Sequence, residues 1–376
     1  MSQLDFENSL NDQQLIAVNC NEGNKLVLAG AGSGKTRVLT YRIAKLIQDF
    51  NVRPSDVLAL TFTNKASREM KDRIESILKI SSQGLWFGTF HGICRRILKI
   101  HWREAELSER FTILDSQDQL RLIKRILKGN NYDEKLYDPK SIQSFINRKK
   151  DNGHRSDNIS DKDDEVYVAI FKEYENILKQ TMSVDFADLT LKTYELFLSH
   201  TQILNYYTKR FKHIMVDEFQ DTNLLQFKLL KLLNNDTGSL YAVGDDDQSI
   251  YGWRGALSKN IKSFTDQFTD VEIFKLEQNY RSTNKILKVA NSLISHNKNR
   301  LGKELWTASE RGETVKIFEA YNNDEESSFI VDKIKMLERD GYKKSEIAIL
   351  YRNNFLSRRL EEELNGRGIP YICLLY

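Results

Sequence analysis

The chain predicts a doubly wound α/β fold, and three strand–loop–helix units carry that prediction. Lys25 to Ala29 is a short apolar run that breaks into glycines. After it comes Thr36 to Asp49, where Val38, Leu39, Ile43, Leu46 and Ile47 recur at helical spacing. Val57 to Thr61 is apolar and leads, through a capping Asn64, into the helical stretch Lys65 to Leu78. Ile214 to Val216 precedes a third helix, Asn223 to Leu233. Short strands alternating with helices need crossover connections, and crossovers set the strands parallel in a sheet covered on both faces. Leu240 to Val243 and Glu272 to Leu276 add two more strands.

The alternation is interrupted once. From Gly92 to about Leu204 the pattern changes to long helical runs such as Gln117 to Lys128 and Glu165 to Gln180, which reads as a helical insertion. Its middle, Arg148 to Asp164, mixes charges of both signs around Gly153 and reads as a solvated loop. After Arg281 a second alternation begins: helix Lys285 to Ser295, strand Thr314 to Phe318, helix Glu325 to Arg339, strand Ile347 to Tyr351 and helix Phe355 to Leu364. The expected organisation is a first α/β domain in two segments, 1–91 and 205–281, the insertion at 92–204, and a partial second α/β domain at 282–376.

Composition bounds the partners. A chain of 376 residues, 40% of them apolar, can bury cores in two or three units. The net charge of +3, from 56 basic and 53 acidic residues, is too small to argue for nucleic acid, so any such binding must come from local geometry. Cys20, Cys94 and Cys373 lie far apart without zinc-like spacing, which favours reduced structural thiols. Met1 to Asn11 is polar and acidic, and no run approaches the ~18 apolar residues of a membrane helix, so the expectation is a soluble, cytoplasmic protein with no membrane partner.

Ala29-Gly30-Ala31-Gly32-Ser33-Gly34-Lys35-Thr36 has phosphate-loop spacing, with alanine in place of the first glycine. Small residues let backbone N–H groups approach phosphate, the helix opening near Lys35 adds its positive end, and Thr36 can hold Mg2+. Lys35 would reach the β and γ phosphates of ATP. Asp217-Glu218 comes directly after an apolar run, so the acids sit at the carboxyl end of a strand, where such sheets bind ligands. Alone, an acidic pair is usually a solvated turn; an upstream phosphate loop reverses that. Asp217 would bind the metal and Glu218 would orient and deprotonate the attacking water.

These residues, with several further blocks in the same order, resemble the UvrD/Rep/PcrA group of superfamily 1 helicases. Asp217-Glu218-Phe219-Gln220-Asp221-Thr222-Asn223 is similar to its metal motif. The run from Val243 through Asp245-Asp246-Asp247-Gln248 and Tyr251 to Trp253-Arg254-Gly255-Ala256 is similar to its third motif, which is highly specific. Leu276-Glu277-Gln278-Asn279-Tyr280-Arg281-Ser282, Leu60 to Ala66 and Gly88-Thr89-Phe90-His91 match other blocks. The resemblance implies a RecA-like parallel-sheet domain with a helical insertion and an incomplete second RecA-like domain. It also implies roles. Gln14 would pair with the adenine edge, Tyr280 and Arg37 would sandwich the ring, Arg281 would place its fork on the γ-phosphate, and Gln248 would sense that phosphate and link it to DNA.

The same resemblance makes Tyr251, Trp253 and Arg254 a stacking and phosphate platform for single-stranded DNA, with Phe62, Asn64, Thr89 and His91 as further contacts. Isolated aromatics at alternate positions are ordinarily packing residues, and an isolated histidine is ordinarily structural. Arg95-Arg96, Lys124-Arg125 and Arg148-Lys149-Lys150 would add phosphate contacts, though solvated helix faces explain them equally. Ile372 to Tyr376 does not resemble the corresponding stretch of the family, and the family's later motifs, with a second γ-phosphate arginine, have no counterpart. Two expectations therefore stand together. One is an ATP-driven 3′ to 5′ helicase and single-strand translocase of repair or replication, acting on 3′-tailed duplex. The other is a shortened ATP- and DNA-binding fragment of low turnover, which a separately encoded motor piece could complete. A nuclease-associated or strand-exchange protein is a more remote class, and no nuclease-like acidic cluster with a lysine is evident.

Overall fold

The computed structural model describes residues 9–79, 84–159, 164–234, 238–252, 260–297, 300, 302–310 and 312–373. Six strands form its main sheet: β1 (Lys25–Ala29), β2 (Val57–Thr61), β3 (Trp86–Thr89), β6 (His213–Val216), β7 (Ser239–Gly244) and β8 (Glu272–Leu276). Their order across the sheet is β3-β2-β6-β7-β1-β8, and every neighbouring pair runs parallel. Parallel strands bring all six carboxyl ends to one edge, which is where the loops carrying the predicted motifs emerge.

Side-chain alternation explains why both faces are covered. Leu26, Leu28, Leu58, Leu60, Ile214, Val216, Leu240 and Ala242 enter one buried cluster. Val27, Ala29, Val57, Ala59, Met215, Tyr241 and Val243, the residues between them, enter the other. The second cluster is closed by α1 (Asp12–Asn19), α2 (Lys35–Gln48) and α3 (Asn64–Leu78). The first is closed by α4 (Phe90–Ile100) and, further along, by α8 (Phe186–Ser199), α9 (Thr201–Arg210), α10 (Leu224–Leu233) and α11 (Asn260–Gln267). With two apolar faces, each of the four inner strands β1, β2, β6 and β7 is an unbroken buried run, which is why periodicity alone marks it only as apolar.

The insertion holds α5 (Ser116–Gly129), α6 (Pro139–Asp151) and α7 (Glu165–Gln180), packed around Ile123, Ile142, Phe145, Phe171 and Tyr174. It also contains two strands that the sequence pattern does not announce, β4 (Thr112–Leu114) and β5 (Ser183–Asp185), paired in parallel. Three-residue strands are too short to show a period. The charged stretch after Arg148 differs from the expected loop: Arg148 to Asp151 is the last turn of α6, and Lys150 is fully buried, donating to Asp185 Oδ2 and Asp188 Oδ2 at 2.7 Å each. Arg155 joins the same network through Asp188, Glu175 and Glu195. Lys150 is therefore removed from the candidate phosphate contacts. Its charge is matched inside the protein, as a buried ammonium requires.

By its packing the chain divides into two units, residues 1–312 and 313–376. The first ends with α12 (Asn284–Ile294) and an extended segment. The second contains α13 (Asn323–Arg339) and α14 (Ser357–Gly366), which pack through Val331, Ile334, Leu364 and Ile369. Thr314 to Phe318 and Ile347 to Tyr351 read as strands in the sequence, but neither joins a hydrogen-bonded ladder here, and Ile317 and Leu350 are more than nine-tenths exposed. A strand exists only through its neighbour, and among the described residues of this unit no such pairing forms. No helix among the described residues is long and apolar enough to cross a membrane.

Candidate active site

The loop between β1 and α2 is shaped by two glycines in the left-handed region, Gly32 at φ +68° and Gly34 at φ +91°. Both are also sites of close approach: a Cβ on Gly32 would lie 2.7 Å from Asn279 Nδ2, and one on Gly34 2.7 Å from Gln14 Nε2. Glycine is needed at both on conformation and on space. Ser33 closes the turn by donating through its N–H and its Oγ to the Gly30 carbonyl, at 3.2 and 2.8 Å. α2 then opens at Lys35, leaving its first N–H groups directed into the loop.

Opposite the loop, β6 delivers the acidic pair. Lys35 Nζ donates to Glu218 Oε2 at 2.8 Å, and Thr36 Oγ1 donates to Asp217 Oδ2 at 3.5 Å. Glu218 has φ +50°, an uncommon conformation for a residue with a side chain and one that marks a shaped site. Asp217 is 6% exposed. Burial, then the neighbouring charge of Glu218, pushes its carboxyl up to about 6, with Lys35 pulling the other way. A buried carboxylate held this way lacks enough positive charge around it, and with the Thr36 hydroxyl beside it the pair fits a divalent cation.

A relay continues from the acids to the third motif. Gln220 Nε2 donates to Glu218 Oε2 at 2.8 Å, and Gln220 Oε1 accepts from the Asp245 backbone N–H at 3.0 Å. Asp245 Oδ2 in turn accepts from Gln248 Nε2. Gln248 thus connects to the Lys35 partner through Asp245, by its side chain and its backbone N–H, and the Gln220 side chain. Gln220 lies inside the metal-motif block, but sequence reasoning gives it no linking role; only the fold brings β7 beside β6.

The block from Leu276 to Ser282 docks directly on the phosphate loop. Asn279 Nδ2 donates to the Ala31 carbonyl at 2.6 Å, and the Tyr280 N–H donates to the Gly32 carbonyl at 3.0 Å. Arg281 is exposed next to Gly32, its backbone N–H held by Asn279 Oδ1 at 2.8 Å. Asn279 is a second organising residue that the sequence does not single out. Gln14 is buried: its Oε1 accepts from the Asn11 N–H at 3.2 Å and its Nε2 donates to the Ser33 carbonyl at 2.8 Å. Its amide therefore braces the loop in this state. Tyr280 is exposed, with its hydroxyl accepting from Asn11 Nδ2 at 2.6 Å, and the exposed Arg37 lies 5.8 Å from the Tyr41 ring.

At the ends of β2 and β3 lie the predicted DNA contacts. Phe62 and Tyr251 stack with centroids 5.1 Å apart and planes 26° from parallel, and Phe62 is exposed. Two motifs distant in sequence so form one aromatic platform. Asn64 is exposed at the first position of α3, but the cap is Thr63, whose Oγ1 accepts from the Ala66 N–H at 3.1 Å. Thr89 caps α4 by accepting from the Gly92 N–H at 3.2 Å. His91 packs edge-on to Phe186, centroids 6.1 Å apart, and burial holds its imidazole below the usual range, so it is neutral at physiological pH. Trp253 and Arg254 lie outside the described residues.

Two family descriptions match the chain: the UvrD/REP helicase N-terminal domain over residues 10–269 and the UvrD-like helicase C-terminal domain over residues 274–375. The chain belongs to the UvrD/REP helicase family. It is 47% identical over 366 residues to DNA helicase II of Escherichia coli and 49% identical over 369 residues to DNA helicase II of Haemophilus influenzae, in each case across 96% of this chain and 51% of the relative. It is 43% identical over 367 residues to the ATP-dependent DNA helicase PcrA of Staphylococcus epidermidis, across 96% of this chain and 50% of that protein. The chain spans about half the length of the curated relatives it matches. Membership accounts for the co-occurrence of a phosphate loop, a strand-end acid pair and a stacked aromatic platform along one sheet edge, and it agrees with the α/β class read from the strand–helix alternation.

Proposed function

We propose that this chain binds Mg-ATP between the phosphate loop and the β6 acids and couples its hydrolysis to movement along single-stranded DNA, in the 3′ to 5′ direction, in repair or replication. The observation that carries this reading is the Lys35–Glu218 pair at 2.8 Å, joined through Gln220 and Asp245 to Gln248, three residues before the platform residue Tyr251. ATP phosphates would draw Lys35 away from Glu218, since a polyphosphate offers more negative charge than one carboxylate. Thr36 and Asp217 would hold Mg2+, which supplies neutralisation of the phosphate oxygens. Glu218, released from Lys35 and still held by Gln220, would orient water and take its proton. Arg281 would set a fixed positive fork against charge that develops in transfer, and backbone N–H groups of the loop would cradle the phosphates. The stacked Phe62 and Tyr251 offer bases a sequence-indifferent surface, and Trp253 and Arg254 would extend it.

A second reading is favoured by the runs 314–318 and 347–351, which join no sheet among the described residues. Translocation needs two domains that close on nucleotide and reopen, and a second unit without a sheet would bind ATP and DNA while turning over slowly. One experiment separates the two: ATP hydrolysis by the purified chain with and without a single-stranded oligonucleotide, then strand displacement on duplexes tailed at the 3′ or the 5′ end. DNA-stimulated hydrolysis with displacement only from the 3′ tail supports the motor. Binding of ATP and DNA without turnover supports the second reading, and failure to bind either overturns both.

A further inference from the structure

The third motif places three consecutive carboxylates, Asp245, Asp246 and Asp247, with ligand oxygens all within 4.8 Å of one another. Like charges at that spacing repel, and the cluster lies one residue from the proposed γ-phosphate sensor Gln248, on the side where more negative charge would arrive. Something must hold it together. Lys303 does so: its Nζ lies 2.6 Å from Asp245 Oδ1 and 3.0 Å from Asp247 Oδ2 and also contacts Asp246 Oδ1, with the lysine side chain 3% exposed. Arg300 forks onto Asp247 from Nε at 2.7 Å and Nη2 at 2.9 Å, and its Nη2 donates to the Lys303 carbonyl at 3.0 Å. Burial works against ionisation of Asp247, yet bonds from Arg300 and Lys303 keep its carboxyl below the usual carboxylate range.

We propose that Lys303 is a positioning residue for the nucleotide site: a built-in counter-ion that fixes the three aspartates in the one arrangement that aims Gln248, and that keeps divalent cations out of the cluster. Three features make the lysine suited to this. It contacts all three carboxylates from one atom, as a metal ion would, but it cannot exchange with solvent. Its backbone is pinned on the carboxyl-terminal side, because Asn291 Nδ2 donates to the Leu305 carbonyl at 2.8 Å, the Trp306 N–H donates to the Glu277 carbonyl at 3.1 Å, and the Asn279 N–H donates to the Trp306 carbonyl at 2.7 Å. Its segment also touches the phosphate loop: a Cβ on Gly30 would collide with the Leu305 side chain. One short stretch, residues 302–306, thereby joins the third motif, the Asn279 block and the phosphate loop. The charge balance around Asp245 reaches Glu218 through Gln220.

The proposal rests on the ATP-site reading above, and its test separates the two. Lys303→Met, Lys303→Arg and the double variant Lys303→Met with Asp246→Asn are compared with the parent chain. The readouts are thermal melting, Mn2+ binding by electron paramagnetic resonance without nucleotide, and DNA-stimulated ATP hydrolysis. The Lys303→Met chain is expected to bind one Mn2+ more than the parent. It should also lose kcat on the order of 100-fold, the size of a misplaced catalytic group, with a smaller change in KM. Lys303→Arg and the double variant should recover part of kcat and lose the extra Mn2+, because each restores charge balance. A folded Lys303→Met chain with parent-like kcat or without the added Mn2+ site overturns the proposal. So does a double variant no better folded or more active than Lys303→Met. If the parent turns over no ATP, the motor reading falls, while Mn2+ binding and the melting rescue still decide the role of Lys303.

Discussion

Replacing Asp151 by Asn should stabilise the protein at alkaline pH and leave it nearly unchanged in acid. Asp151 closes α6, and its Oδ1 accepts from Asn223 Nδ2 at 2.9 Å, the residue that caps α10 just after the metal-motif acids. Burial, then the negative charge of Asp185, pushes its carboxyl from the ordinary 3.8 up to about 7, against the hydrogen bond from Asn223. A folded-state value above the unfolded one means that the native chain binds the extra proton between those limits. The cost of the charge is therefore absent below about pH 4, grows as pH rises, and is complete above about pH 7. At about 1.4 kcal/mol per pH unit the full cost is about 4 kcal/mol. Asp151 is partly solvent-exposed, and screening brings the expected gain to about 2 kcal/mol. The Asn oxygen can still accept from Asn223, so the variant removes the charge and little else. Urea unfolding of both chains at about pH 4.5 and pH 8 measures it. A variant less stable than the parent at the higher pH, or a difference equal at the two, refutes the reasoning.

Two predictions concern the ligands. Phe62→Ala should weaken single-stranded DNA binding by about 1 to 3 kcal/mol with little base preference, and Trp253→Ala by a similar amount, while nucleotide affinity stays near that of the parent; fluorescence anisotropy with homopolymer oligonucleotides checks both, and unchanged DNA affinity returns those rings to packing. Because Asp217 titrates at about 6 and must be ionised to hold a cation, Mg2+ affinity should fall as pH drops through that value, with a proton released on binding. Calorimetry in buffers of different ionisation enthalpy reads the proton, and a flat profile between about pH 5 and 8 would contradict the role of Asp217.

Features that depend on near neighbours along the chain are legible in the sequence. The Lys25 to Ala29 run, its glycines and the helix at Lys35 form one local unit, and Asp217-Glu218 ends its own strand, so spacing alone identifies them. Contacts between distant segments are not legible. Lys150 reads as part of a solvated charge run because its partners Asp185 and Asp188 lie two helices away. β4 and β5 have three residues each and are defined only by pairing with one another. The stacking of Phe62 on Tyr251 depends on both residues reaching the same sheet edge. Gln14 can be placed on the adenine from its block, but its bonds to Asn11 and Ser33 come from the cap of α1 meeting the phosphate loop. Lys303 carries no motif signal at all, and only the fold sets it against three aspartates. Thr314 to Phe318 has a strand's composition but no strand partner among the described residues, which no property of the run itself could reveal.

If the loop from Gly30 to Thr36 is a nucleotide site, its lysine exchanges a carboxylate for phosphate. Titration of a fluorescent ATP analogue into the parent, Lys35→Ala and Glu218→Gln chains, in the presence of Mg2+, tests it most directly. Lys35→Ala should lose binding, because the remaining donors in the loop are uncharged backbone N–H and hydroxyl groups. Glu218→Gln should bind at least as tightly as the parent, since the competing partner of Lys35 at 2.8 Å is gone, and should hydrolyse ATP far more slowly. Equal affinity of Lys35→Ala and the parent would contradict the assignment.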